Sequence, residues 1–187
     1  MNSQKVDGCL WKKDGGMDQD KGEMERHVIL VGPEVHWNTG NIGRTCLGAG
    51  ACLHLVKPIG FSLGSREVKR AGLDYWPKVR LKIWDDFESL ISAMKPNEDE
   101  VALFAKLGEK SVWDMPKKKR MFLVFGSETK GLLPDVLERF NRDIYHIPMT
   151  REIRCLNLST AVGIALYESL RGYGPCRLCP PENPACG

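Results

Sequence analysis

The amino-acid sequence predicts an α/β fold in which helices cover both faces of a parallel sheet. Short apolar runs that end at turn residues alternate with longer stretches of helical periodicity. Alternating segments of this kind form parallel sheets whose strands are buried on both faces. A chain of 187 residues that is 42% hydrophobic is also long enough for one domain with a full core.

The predicted strands are short runs of branched and aromatic residues. The first run ends in Gly32-Pro33 and the second in Lys57-Pro58, and both pairs are typical strand terminators. The third is predicted to be an edge strand. In chain order the strands are expected at residues 28–31, 53–56, 79–83, 101–105, 121–125 and 144–147.

The predicted helices lie between these strands. Asp85 is expected to cap a helix that ends at Met94, with Phe87, Leu90 and Ile91 on one apolar face. A proline in the first turn favours a later helix. The remaining helical segments are a loop entering a helix at residues 38–50, a short polar helix at 65–71, and helices at 134–140 and 157–170.

Composition limits the cellular setting. The net charge of +3 neither requires nor excludes a nucleic-acid partner, and the basic run at residues 117–120 is better interpreted as a solvated loop. No apolar stretch could span a bilayer and no signal core precedes the domain, so a cytoplasmic protein without a membrane partner is expected. The odd count of seven cysteines favours free thiols.

Three parts of the chain are distinguished by composition. Residues 1–26 are expected to be a disordered extension, 27–172 the folded domain, and 173–187 a tail rich in Cys and Pro. Cys176 and Cys179 have a zinc-ligand spacing, but a second pair is missing. We therefore predict no metal, while zinc held with Cys186 and an outside ligand remains the alternative.

Three polar clusters follow predicted strands, at the sheet edge where ligands of such folds bind. The first runs from Asn38 to Arg44 and opens a helix, where free N–H groups attract phosphate and a guanidinium could hold it. An ordinary turn with a surface arginine is the simpler alternative. Trp37, beside this cluster, is expected either to stack on a base or to anchor the loop.

The second cluster follows the strand at residues 121–125. Gly126 would let a ligand approach the backbone, and Glu128 could bind a neighbouring loop or a substrate. The segment has neither the Walker A nor the dinucleotide-binding glycine pattern. An ordinary strand-to-helix connection is the alternative.

The third cluster spans Ile147-Pro148-Met149 and Leu156-Asn157-Leu158-Ser159. Helix capping explains Asn157 and Ser159. The irregular loop between the two parts carries Arg151 and Arg154, and loops of this kind often carry function.

Taken in order, these clusters resemble the three motifs of one family. Asn-x-Gly-Asn-x-x-Arg, Gly-x-Glu-x-x-Gly-Leu and Ile-Pro-Met…Leu-Asn-Leu-Ser are similar to the motifs of the SpoU branch of the SPOUT RNA methyltransferases. The resemblance covers residues 27–171. Within the family, the stretches KPIGF at 57–61 and RAGLDY at 70–75 look most like the TrmL group, which methylates the ribose 2′-hydroxyl of the tRNA wobble nucleotide.

The resemblance implies a fold, a cofactor and a site. It implies a deep trefoil knot within residues 121–159, S-adenosylmethionine as methyl donor, and a homodimer with its active site at the interface. The closing helix, with Ala161, Ala165 and Leu166, would then face either the partner or the chain's own core. By resemblance the catalytic residues are Arg44, supported by Asn38, Glu128, Asn157 and Ser159, and the cofactor contacts are Lys106, Gly126, Ile147, Cys155 and Leu156.

The implied function is methylation of tRNA nucleotide 34, a cytidine or a cmnm5-uridine, with tRNA rather than DNA as partner. Another tRNA or rRNA site and a non-catalytic RNA-binding relative are the alternatives. Two positions depart from the family pattern. Cys155 stands where relatives often have serine, and Gly43 stands where a bulkier apolar residue is common.

Overall fold

The structure is a computed structural model that describes residues 24–62, 75–140 and 143–172. Within these ranges, seven strands form one sheet with every neighbouring pair parallel, as predicted. The strands are β1 (Glu25–Val31), β2 (Cys52–Val56), β3 (Leu81–Trp84), β4 (Val101–Phe104), β5 (Lys110–Ser111), β6 (Arg120–Phe125) and β7 (Ile144–His146). Their order across the sheet is β3-β2-β1-β6-β4-β7-β5.

Helices cover both faces of the sheet. They are α1 (His36–Gly48), α2 (Phe87–Met94), α3 (Pro134–Arg139) and α4 (Leu158–Leu170), with short 3-10 turns between some elements. On one face, Ile42 of α1 and Leu166 of α4 pack with Val28 of β1. On the other face, Leu90 of α2 and Val136 of α3 pack with Ile29. Alternate residues of β1 therefore face opposite halves of the core.

The chain changes direction across the sheet at β1. It first adds β2 and β3 on one side of β1 and then builds β6, β4, β7 and β5 on the other side. A reversal of this kind leaves a crevice beyond the carboxyl ends of the central strands. The loops after β1, β4, β6 and β7 meet there. None of the helices in the described ranges is long and apolar enough to cross a membrane.

Most predicted elements are confirmed, with shifted ends. Each of the six predicted strands is present, and β3 lies at an edge as expected. The strand β5 was not predicted because two polar residues carry no hydrophobic period. The helix cap is Asp86 rather than Asp85: the Asp86 carboxylate accepts a bond from the Ser89 N–H at 2.7 Å, whereas Asp85 pairs with Lys57. The helix predicted at 65–71 lies outside the described residues.

The first strand begins at Glu25, two residues before the predicted start of the ordered domain, because Arg26 is part of the core. Only 3% of the Arg26 surface is exposed. Its guanidinium donates to the Ser169 hydroxyl at 3.0 Å, to the Ser169 carbonyl at 2.8 Å and to the Lys119 carbonyl at 2.9 Å. Ser169 is in the last turn of α4, where carbonyl oxygens concentrate negative charge. Arg26 therefore ties the end of α4 to β1.

Packing explains the unusual glycine in α1. A Cβ atom at Gly43 would lie 2.4 Å from Cζ3 of Trp76. The indole ring thus fills the space that a larger residue at this position would need. The loss of helix propensity at Gly43 is offset by the apolar contact that Trp76 makes with α1.

Two buried histidines, one on β1 and one on the neighbouring strand β2, form a neutral pair. The Trp84 indole N–H donates to His54 Nδ1 at 3.0 Å, so the His54 proton is on Nε2, which donates to His27 Nδ1 at 3.0 Å. The His27 ring stacks on Phe122, with centroids 4.4 Å apart. Burial is the main cause that lowers the pKa of His27 from 6.5 to about 4 and that of His54 to about 3.

We predict that this pair makes the fold sensitive to mild acid. Since both folded-state pKa values lie below 6.5, the unfolded chain binds more protons between pH 6.5 and about 3. The contribution of the neutral histidine pair to the free energy of unfolding is therefore fully present well above pH 6.5, and it is lost as the pH falls towards the folded-state pKa values. The free energy of unfolding, measured by urea titration, should drop on the order of 3 kcal/mol between pH 7 and pH 5.

The variants of this test separate titration from packing. His27→Phe combined with His54→Phe removes both imidazoles and should flatten the dependence. Trp84→Phe removes the indole donor but keeps both imidazoles, so it should keep the dependence. An unchanged slope in the double variant would assign the acid sensitivity to other groups.

Candidate active site

A cavity of about 920 Å³ opens at the carboxyl edge of the sheet. Its walls are the loops that follow β1, β4, β6 and β7, together with the start of α4. This volume is typical of a site for a small organic ligand. Eight of the ten predicted site residues line it, namely Asn38, Lys106, Gly126, Glu128, Ile147, Cys155, Leu156 and Asn157.

The inner wall of the cavity is aromatic, and its mouth carries both polar and apolar side chains. Phe104 stacks on Phe125 with ring centroids 4.7 Å apart, and Tyr145 packs beside Phe104. Burial raises the pKa of the Tyr145 hydroxyl, whose O–H donates to Asp143 at 3.2 Å. The sequence reasoning missed these aromatic residues as site residues because they form the ends of ordinary buried strands.

A chain of hydrogen bonds joins the three predicted clusters at the mouth. The Asn157 amide donates from Nδ2 to Asn38 Oδ1 at 2.9 Å, and the Asn38 amide donates from Nδ2 to Glu128 Oε1 at 2.9 Å. Residues separated by 119 and 90 positions are thereby placed side by side. This relay of Asn157, Asn38 and Glu128 ends on a carboxylate, which accepts without donating.

Asn157 caps α4, as predicted, and also contributes to the relay. Its Oδ1 accepts bonds from the Ser159 N–H at 2.8 Å and from the Ser159 hydroxyl at 2.7 Å, so it caps α4. Its amide nitrogen remains available for Asn38. Ser159 acts through this cap, and the cavity lining formed by the described residues does not include it.

The loop after β6 is shaped by its own backbone. Ser127 and Gly131 exchange two backbone hydrogen bonds of 3.1 and 3.0 Å, and Gly131 has a φ of +70°. A Cβ atom at Gly126 would lie 1.9 Å from the Gly131 carbonyl carbon. The sequence did not show this reason for a glycine at 126: the atoms that require it belong to the returning chain, and Gly126 also lines the cavity.

Irregular chain forms the opposite side of the cavity. Ile147, Cys155 and Leu156 lie outside any strand or helix, so their backbone groups are not committed to sheet or helix bonds. Arg151 and Arg154, between them, are exposed.

A tight crossing supports Lys106 at the next loop. The Cβ position of Gly108 is 2.5 Å from the Tyr145 carbonyl carbon, and His146 Nδ1–H donates to the Gly108 carbonyl at 2.8 Å. The loop after β4 is therefore pinned to β7. Lys106 and Leu107 project from this loop at the cavity rim, where both are exposed.

Arg44 lies away from the cavity of its own chain. It is exposed on α1, and its guanidinium carbon lies 4.7 Å from the centroid of the Tyr75 ring. The Tyr75 hydroxyl in turn donates to the Gly40 carbonyl at 3.1 Å. Within the described residues of one chain, Arg44 therefore does not lie beside the other motif residues, contrary to expectation.

Exposure bears on two open alternatives. Trp37 is 59% exposed, lies in the first turn of α1 and lines the cavity. Ala165 and Leu166 of α4 are fully buried in the chain's own core, so these two are not part of a subunit interface. Ala161 lines the cavity.

Two cations of the basic run at residues 117–120 are paired with carboxylates. In the basic run, Lys118 pairs with Asp99, and Arg120 pairs with Glu100 at 2.7 Å, both at the amino edge of the sheet. The interpretation of this run as a solvated loop is consistent with these pairs. No group of three metal-ligating side chains occurs in the described part of the chain, and Cys176 and Cys179 lie outside it.

Comparisons with known proteins agree with this architecture. The sequence profile of the SpoU rRNA methylase family matches residues 25–167. The chain belongs to the SpoU methylase family. This SpoU family member is 40% identical to a tRNA (cytidine(34)-2′-O)-methyltransferase of Burkholderia ambifaria, over 79% of this chain and 96% of the relative.

Two solved structures have the same fold. One, described as giving structural insights into the 2-OH methylation of C/U34 on tRNA, is 40% identical with a TM-score of 0.71, over 79% of this chain and 95% of that chain. The other is an AdoMet-bound rRNA methyltransferase from Sinorhizobium meliloti, 28% identical with a TM-score of 0.71, over 80% of this chain and 57% of that chain.

We predict that Gly126→Ala disturbs the loop after β6. Because the added carbon would overlap the Gly131 backbone, the loop must move, and the free energy of unfolding should fall by about 1–3 kcal/mol. Gly163 of α4 is the matched control, since a Cβ there meets nothing within 4 Å. Gly163→Ala should stabilise the protein by up to about 1 kcal/mol. Equal unfolding curves for the two variants would contradict the overlap.

Proposed function

We propose that this SpoU family protein transfers a methyl group from S-adenosylmethionine to the ribose 2′-hydroxyl of tRNA nucleotide 34, a cytidine or a cmnm5-uridine. The observation that carries the proposal is the relay of Asn157, Asn38 and Glu128 at the mouth of a cavity of about 920 Å³. The relatives that are 40% identical and named for C34 or C/U34 methylation support the choice of nucleotide.

The residues around the cavity suit the proposed cofactor. An adenosine needs an apolar slot and backbone partners, which Phe104, Ile147 and Leu156 can offer. Gly126, Cys155 and Lys106 complete the set that would hold it. The AdoMet-bound relative supports this assignment. S-adenosylmethionine supplies a methyl group on a sulfonium, which becomes neutral when the methyl leaves.

The protein must align the 2′-oxygen with the methyl group, and the hydroxyl proton would pass to solvent water as the methyl is transferred. The amides of Asn38 and Asn157, fixed by the carboxylate of Glu128, can hold the ribose at the mouth. A guanidinium stays protonated at ordinary pH, so Arg44 would grip the phosphate beside the ribose and stabilise the developing oxyanion. Ser159 would keep Asn157 in place through the cap.

A homodimer would complete the site. Arg44 is exposed outside the cavity of its own chain, and Trp37, Leu107 and Met149 leave apolar surface at the cavity rim. An exposed apolar rim of this kind suits a second subunit. The second copy would bring its own Arg44 to the mouth.

The proposal also includes a knotted chain, the bounds of the catalytic domain and a cellular location. A trefoil knot within residues 121–159 is supported by the fold shared with SpoU relatives. Residues 27–172 would form the catalytic domain, flanked by 1–26 and 173–187. Work on tRNA would place the protein in the cytoplasm.

Ribosomal RNA is the less favoured substrate. The rRNA methyltransferase from Sinorhizobium meliloti is 28% identical, and this chain covers 57% of its length. The relative named for C/U34 is 40% identical, and the chain covers 95% of it. Similar length and higher identity favour tRNA. The intact relay argues against a non-catalytic RNA-binding relative.

We predict that the purified protein methylates tRNA at nucleotide 34 and that this depends on Arg44. Tritium transfer from S-adenosylmethionine to tRNA from a strain lacking its own C/U34 methyltransferase, followed by nucleoside mapping, should locate the label on the ribose of nucleotide 34. Arg44→Ala should lower kcat by about 100-fold or more, because a charged stabilising group is lost. Label elsewhere in the tRNA would refute the choice of nucleotide, and near wild-type turnover would remove Arg44 from the mechanism.

Mixing two inactive variants tests whether Arg44 acts across subunits. Arg44→Ala mixed with Glu128→Ala forms heterodimers in which one cavity is intact and receives an intact Arg44. About a quarter of wild-type activity should return after random subunit exchange. Absence of recovery, with exchange verified by mass spectrometry, would mean that Arg44 serves its own chain.

We predict that the exposed arginines of the irregular loop hold the RNA backbone. Arg151→Glu combined with Arg154→Glu should weaken tRNA binding at least about 10-fold and reduce the slope of log Kd against log salt. Binding of S-adenosylmethionine should change little. The control is Lys117→Glu combined with Lys119→Glu at the opposite edge of the sheet. Equal losses in both pairs would indicate a general effect of charge.

A further inference from the structure

Two loops at the cavity mouth exchange hydrogen bonds with each other's acidic side chains. The backbone N–H of Glu34 donates to Glu128 Oε2 at 2.9 Å. The Glu34 carboxylate accepts from the Thr129 N–H at 3.2 Å and from the Thr129 hydroxyl at 2.8 Å. We refer to Glu34, Glu128 and Thr129 as the latch. Glu34 could not be identified from the sequence, because no local pattern shows that Glu128 and Thr129, 94 and 95 positions away, lie against it.

The latch is fixed from its other side by the loop after β2. The Gly60 N–H donates to the Pro33 carbonyl at 2.9 Å. A Cβ atom at Gly60 would lie 2.9 Å from Glu34 Cα, so the two backbones are already in close contact. The backbone of Glu34 is therefore held against the loop after β2, and its side chain bonds to the loop after β6.

The latch determines where the relay ends. The Glu128 carboxylate accepts a hydrogen bond from the Glu34 N–H on Oε2 and another from the Asn38 amide on Oε1. If the loop after β6 moves, the carboxylate moves with it, and the Asn38 amide loses the acceptor that fixes its orientation. Thr129 is exposed, so its bonds to Glu34 contribute little to global stability, about 1 kcal/mol. Their main effect is to hold the loop after β6 against Glu34.

We propose that Glu34 is a positioning residue for the methyl transfer, acting through Thr129 and Glu128. This inference rests on the proposed function for its activity readout. Glu34 fixes the Glu128 carboxylate and, through it, the amide that faces the substrate ribose. The contribution is geometric, since the Glu34 carboxylate bonds to Thr129 and is directed at the loop.

Substitution by glutamine separates geometry from charge. A glutamine at 34 can accept the Thr129 N–H with its carbonyl oxygen and donate its amide to the Thr129 hydroxyl, which is able to accept. Glu34→Gln should therefore rescue the latch, whereas Glu34→Ala cannot. If the negative charge itself served the reaction, both substitutions would be equally harmful.

The activity experiment compares Glu34→Ala, Glu34→Gln, Thr129→Val and the combination of Glu34→Ala with Thr129→Val. Glu34→Ala should lower kcat by about 10- to 100-fold, because small misplacements of reacting groups are costly. Its KM for tRNA should stay within about 3-fold. Glu34→Gln should keep kcat within about 3-fold of wild type. The combined variant should be no worse than Glu34→Ala, since both changes break the same contact.

The matched control is Glu138→Ala, which removes an exposed carboxylate from α3. It should leave kcat and KM unchanged. Additive losses in the combined variant, an inactive Glu34→Gln, or a Glu34→Ala whose loss is entirely in KM would each overturn the proposal.

Hydrogen exchange tests the latch independently of methyl transfer. In Glu34→Ala, amides of residues 128–131 should exchange at least about 10-fold faster, while those of β6 stay unchanged. Glu34→Gln should keep wild-type exchange. Unchanged exchange in Glu34→Ala would overturn the latch even if the enzyme methylates tRNA. If no methyl transfer is found with the wild type, the proposed function fails, and faster loop exchange would still establish the contact.

Discussion

The site depends on one physical interaction, the relay in which the Asn157 amide donates to Asn38 and the Asn38 amide donates to Glu128. A relay needs a central side chain that accepts on one atom and donates on another, and a carboxamide provides both. A carboxylate suits the terminal position because it has acceptors only. Three segments far apart in the chain are thereby held in one orientation at the cavity mouth.

The sheet makes this meeting possible. The strand order reverses at β1, so the loops after β1 and β6 emerge side by side at the carboxyl edge. The return of the chain between Gly126 and Gly131 leaves no room for a side chain, and the crossing of Gly108 over Tyr145 is equally tight. Close backbone approaches at both loops give the polar groups a rigid base, which a preorganised site requires.

The sequence predicted the sheet and its helices, because buried strands and capped helices leave local patterns. The family resemblance added eight of the residues that line the cavity. The sequence predicted the wrong cap at Asp85, because sequence alone does not distinguish two neighbouring aspartates as caps. In the structure Asp85 pairs with Lys57 and Asp86 caps the helix. The sequence did not show that the Gly131 backbone requires a glycine at 126, because the nearby backbone comes from residues whose path is set by the fold. Glu34 was missed for the same cause. Contacts between distant loops depend on tertiary structure, and no periodicity records them.

Helix geometry explains why Asn38 and Arg44 cannot serve the same cavity from one chain. An α-helix turns by about 100° per residue, so positions six residues apart differ by about 240° around the axis. Asn38 faces Glu128 on its own chain, and Arg44 accordingly lies over Tyr75 on another side of α1. A motif with this spacing therefore directs its two polar ends towards different surfaces. The proposal that both ends act in one reaction therefore depends on a second copy of α1, as in the proposed homodimer.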